Sequence, residues 1–71
     1  MIEEFTHSNL RERVREDMAS AITALDFLAT SIGQLAALHE ADEEAAIITE
    51  GRVIAAKREM VKAVTGLLEA E

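Results

Sequence analysis

Read in steps of four and three, Val14, Met18, Ala21, Leu25, Leu28, Ile32, Leu35 and His39 form a row that no charged side chain interrupts before the histidine. That spacing keeps side chains on one face of an α-helix, whereas a strand would need strict alternation. A first helix over about 9–39 follows, roughly 43 Å long at 1.5 Å per residue. A second periodic stretch predicts helix 2 over about 43–69, leaving a turn at about 40–42. The expected fold is all-α: a two-helix antiparallel hairpin, pairing into a four-helix bundle as a homodimer.

Composition narrows the alternatives. The chain has 71 residues, enough for one small domain with little room for a core of its own. Phe5 and Phe27 are the only aromatic residues, and proline is absent. The remaining apolar residues are alanines and aliphatics, which favour helix over sheet. With no cysteine there is no disulfide framework, thiolate nucleophile or sulfur-ligated zinc. No uninterrupted apolar run approaches the roughly 18–20 residues that cross a bilayer. Residues 1–5 carry acids where a signal peptide carries bases, so a cytoplasmic protein is expected.

The net charge is −7, with six acids against three bases in residues 1–38 and eight against four in residues 39–71. An acidic surface repels phosphate backbones and anionic lipid heads, so neither nucleic acid nor membrane is expected as a partner. Arg11, Arg13 and Arg15 alternate with Glu12 and Glu16, the pattern of a solvated, ion-paired helix face.

Residues 1–8 lack periodicity and read as a flexible arm, whose Ile2 and Phe5 are the candidates to dock on a neighbour. Asn9 followed by Glu12 fits a capping box at the start of helix 1. Ile22, Ala29 and Ala36 widen the main row, while Asp17, Thr23, Asp26, Thr30 and Gln34 make the opposite, wetted side. Phe27 and Leu38 belong to neither. Phe27 is flanked by Ala24 and Ser31, a smooth surround that lets a partner approach one large ring. Gly33 interrupts the helical pattern at a cost of about 1 kcal/mol against alanine, consistent with a kink or a close helix crossing.

In the turn, Asp42 is a fair N-cap, and Glu43 and Glu44 place negative charge where the helix dipole favours it. His39 suits the carbonyl end of helix 1. No glycine or proline forces a break, so one continuous helix of about 60 residues in an extended coiled coil is the rival geometry.

Helix 2 carries two apolar rows. Ile47, Ile54, Val61 and Leu68 form one; Ala46, Val53, Met60 and Leu67 form another about 100° away. Glu50, Lys57 and Val64 lie between them. Two rows suggest two neighbours. The first row is assigned with Val14, Met18, Leu25, Leu28, Ile32, Leu35 and Val64 to the dimer or hairpin core. Val53, Met60 and Leu67 are assigned with Phe27 and Leu38 to a partner face. Glu50 and Lys57 either set the register of the seam or reach out to water along their stems. A single hairpin seam is too narrow for all of these aliphatics, and each one left in water forgoes roughly 1.5–3 kcal/mol of burial. Pairing two hairpins recovers it.

Reactive side chains concentrate only at His39, Glu40, Asp42, Glu43 and Glu44. His39-Glu40 begins like the H-E-x-x-H zinc motif but lacks its second histidine, and two ligands are too few for zinc. Ser8, Ser20 and Ser31 have no strained turn or oxyanion donor beside them, and the adjacent His7 and Ser8 lie on the arm. No catalytic, metal or cofactor residue is assigned, and an enzyme is not expected.

The expected function is protein–protein interaction, with the leftover apolar face gripping a partner to inhibit or shield it. Small bacterial adaptors and phage- or plasmid-borne anti-activators share this build. In pattern and length, residues 10–70 also resemble the helical-hairpin co-chaperones that keep type III secretion needle subunits from polymerising, which implies an obligate hetero-complex. A small metal-binding helical protein is the third alternative.

Overall fold

The computed structural model describes residues 7–70, which form two helices, α1 (His7–Ala37) and α2 (Glu43–Glu69), packed as an antiparallel hairpin. The hairpin measures 52 × 25 × 10 Å. Its smallest dimension is the width of one helix, so it is a slab with two broad faces.

α1 begins at His7, and Asn9 therefore lies inside the helix instead of capping it. No glycine or proline precedes it to stop helical propagation. Residues 7 and 8, expected in the arm, are helical; Ile2 and Phe5 lie outside the described residues.

The turn is built from local hydrogen bonds. The Glu40 amide donates to the Leu35 carbonyl at 2.9 Å, and the His39 amide to the Ala36 carbonyl at 3.0 Å. These are the two bonds of a Schellman motif, which satisfy carbonyls that the end of α1 leaves unpaired. His39 fills the left-handed position that this motif requires, with φ 61°. Asp42 then caps α2, its carboxylate accepting the Ala45 amide at 2.9 Å, with Glu43 and Glu44 in the first turn. The backbone ladder is thus broken and recapped within five residues, and the chain is a hairpin, not one long helix.

Cross-helix contacts fix the register. The Lys57 ammonium donates to Asp26 at 2.7 Å, and a Cβ added at Gly33 would stand 3.7 Å from the Glu50 carboxylate. Gly33 and Asp26 are seven residues apart, as are Glu50 and Lys57, so the helices stay in step over two turns. At the open end, the Arg11 guanidinium donates to the Leu68 carbonyl, one of the orphan acceptors closing α2.

On α1 Val14, Met18, Ala21, Leu25 and Ile32 of the row read from sequence lie half-buried along the packed seam, which is displaced from Leu28 and Leu35 toward Ala29. Among the described residues only Ala29 and Ala46 are buried, at 8% and 6% exposure, and no large side chain is fully enclosed. On α1 the seam follows Met18, Ile22, Leu25, Ala29, Ile32 and Ala36, while Leu28 and Leu35 are 46% and 43% exposed. On α2 it falls between the two rows. Val53 and Met60, expected on an outer face, are half-buried like Ile54, Val61, Val64 and Leu68. Ile47, expected in the core, is 63% exposed. The physical reason is distance: alanines at 29 and 46 bring the helices close, and a leucine at either place would hold them apart. Lys57 and Glu50 tolerate the seam because its rim is open to water, which lets the lysine reach Asp26 along its stem.

Candidate interaction surface

The seam divides the slab into two unlike faces. Asp26 and Gly33, which meet Lys57 and Glu50, mark one rim. Leu28 and Leu35 stand two residues further on, about 200° around the helix, and so beyond the other rim. Because α2 runs the opposite way, its rotational sense is reversed. Thr49, Ala56 and Ala63, one residue before Glu50, Lys57 and Val64, rise on the same side as Leu28 and Leu35. Val53, Met60 and Leu67 lie between them and the seam.

On α1 one face of the slab is uncharged from Ala21 to Leu35, with Asp17 at its end; on α2 the same face carries Thr49, Ala56, Ala63 and Leu67, with Arg52, seven residues after Ala45 and eleven before Ala63, at its outer edge. The other face carries Glu12, Arg15, Asp26, Glu50 and Arg58, and toward the open end a groove lined by Arg11, Arg15, Met18, Thr65, Leu68 and Glu69. Arg15 pairs with Glu12 at 3.4 Å, both side chains largely in water, as the alternating charges lead one to expect.

Phe27 and Leu38 point away from the seam and are the most exposed of the large apolar residues, at 69% and 68%. A shallow groove lined by Thr23, Asp26, Phe27 and Thr30 runs beside the ring. The Thr23 hydroxyl donates to the Ala19 carbonyl at 3.2 Å, so even this side of α1 turns part of its polarity inward. Leu67, the remaining residue assigned to a partner face, is exposed on the face of Leu28 and Leu35, whereas Val53 and Met60 lie partly within the hairpin.

One signal was present in the sequence and not drawn from the apolar row alone. Between Met18 and Leu38 the only charged residue is Asp26, on any side of the helix. A helix that is uncharged all round belongs among neighbours on several sides, and a two-helix hairpin supplies one. By length and composition α1 also meets a membrane-span criterion over Asn9–Ala37, although no stretch of it is continuously apolar. The 5662 Å² of accessible surface compares with roughly 4,400 Å² for a compact monomer of 7.8 kDa.

For chemistry the surface offers little. Among the described residues no group of three His, Cys, Asp or Glu side chains could hold a metal ion. Asp42, in the acid-rich turn, is engaged in capping α2, and His39 in closing α1. Among the described residues no side-chain polar atom is buried without a hydrogen-bond partner, so none points to an absent ligand. The chain matches no family model, no curated protein and no solved structure.

Proposed function

We propose that the chain is a non-enzymatic interaction module: an acidic helical hairpin that self-associates and holds a partner protein so as to inhibit or shield it. The observation that carries this reading is the uncharged circumference of α1. From Met18 to Leu38 its one charge is Asp26, and Lys57 of the same chain occupies that carboxylate. Such a helix gains by being surrounded, and burial of its aliphatics is worth far more than one hairpin seam collects. A net charge of −7 favours protein over nucleic acid as the neighbour.

The action is occlusion. Self-association takes the broad face of Leu28 and Leu35, and Phe27 and Leu38 remain outside it as helix-face anchors for a groove on the partner. Both anchors project from α1, one near its middle and one at its end, which suits an elongated groove.

Two measurements test the reading. Sedimentation is expected to give a dimer at micromolar concentration; a well-folded monomer overturns self-association. Affinity capture from the source organism is expected to retain a protein that the Phe27→Asp, Leu38→Asp variant loses while staying dimeric. Identical capture by the wild type and that variant overturns the assignment of the anchors.

A further inference from the structure

We infer that the face bearing Leu28 and Leu35 is covered by a second copy of this chain, about a two-fold axis passing at Leu28 of α1 and Ala56 of α2. This rests on the self-association proposed above and adds to it the face and the register.

Stacking two slabs about an axis perpendicular to the helices lays each helix antiparallel on its own copy. A residue a given number of places before the axis then meets the residue the same number after it. Steps of seven and eleven return to nearly the same side of an α-helix, so they report which side chains are paired. From Leu28, seven places either way along α1 give Ala21 and Leu35. The large leucine of each copy falls on the small alanine of the other.

The same test on α2 uses different residues. From Ala56, seven places give Thr49 and Ala63, and eleven give Ala45 and Leu67. Again the one large side chain is set against a small one; Arg52, four places before the axis, lies at the outer edge of the face, where its stem can reach water. A surface that complements itself on reversal is what an isologous two-fold contact needs.

The two centres were located separately, and the hairpin brings them together. The register set by Gly33 against Glu50 and Asp26 against Lys57 places Leu28 opposite Ala55. That is one residue, roughly 1.5 Å of helix rise, from Ala56. One axis therefore serves both helices.

The size is adequate too. On the side of Leu28, α1 carries no charge from Ala19 to Ala37, a length of roughly 28 Å. Across a hairpin 25 Å wide this gives a footprint of roughly 700 Å², close to the roughly 800 Å² per partner of a standard stable interface.

The chain has no cysteine, so a single introduced one reports alone. Under mild oxidation, Leu28→Cys and Ala56→Cys are each expected to give a covalent dimer on a non-reducing gel, because each lies beside its own copy at the axis. Ile48→Cys, on the outer surface of α2, is expected to stay single. Chains bearing Ala21→Cys and Leu35→Cys are expected to cross-link to one another more than either does to itself. Should Leu28→Cys disturb folding, Ala56→Cys carries the test. A wild-type dimer whose Ile48→Cys variant links in place of the axial ones overturns the face and register while self-association stands. A wild-type monomer in sedimentation overturns both, and its flotation with phosphatidylcholine vesicles would assign the face to lipid.

Discussion

Lys57 reaches out of α2 to place its ammonium 2.7 Å from the carboxylate of Asp26, the one charge in the middle of α1. The contact joins positions 31 residues apart in the chain and helps hold the helices in register. Its energy is small, since the Asp26 side chain is more than half exposed. Asp26→Asn is expected to lower stability by about 0–1 kcal/mol, with less effect in molar salt than at low salt. Urea titration at two ionic strengths checks this.

His39 pays the usual cost of a non-glycine residue in the left-handed region, with φ 61°. His39→Gly removes that cost and is expected to stabilise the hairpin by about 1 kcal/mol. Thermal melting distinguishes the turn from an uninterrupted helix, in which the same glycine would lower the melting temperature.

Asp42 caps α2 through the Ala45 amide. Asp42→Ala is expected to cost about 1 kcal/mol, and Asp42→Asn, which retains an acceptor, much less. Circular dichroism under denaturant separates the two.

Ala29 is buried where the helices come close. Ala29→Leu has no room there and is expected to destabilise the hairpin by about 1–3 kcal/mol. Ile48→Ala, on the outer surface of α2, is expected to leave stability within about 0.5 kcal/mol of the wild type.

Gly33 has space for a methyl group, since its added Cβ would stand at an ordinary contact distance of 3.7 Å from the Glu50 carboxylate. Gly33→Ala is therefore expected to stabilise α1 by up to about 1 kcal/mol through helix propensity. A lower melting temperature would show that the helices approach more closely at this point.

Sequence periodicity made the two helices and the Asp42 cap legible, because capping and helical repeat are local properties. The position of the seam was less so. Val14, Met18, Leu25 and Ile32 of the α1 row are half-buried, but hydrophobicity alone ranks Leu28 and Leu35 with them. The structure instead buries Ala29 and brings Ala36 partly under cover, since small residues set how near two backbones can come. On α2, Val53 and Met60 were separated from Ile54 and Val61 because Glu50 and Lys57 lay between them. Those polar residues do not divide the rows: Lys57 bridges to Asp26, and Glu50 lies over a glycine that leaves it room. A fact about α1 therefore decided the reading of α2, which no repeat within α2 could reveal.

A slab 10 Å thick has no depth in which to hide a peptide group. Alone in heavy water, the chain can slow the exchange of its amides only by the stiffness of each helix, and the label would enter along its whole length. Amides that remain protonated much longer would therefore trace the footprint of whatever molecule lies against it.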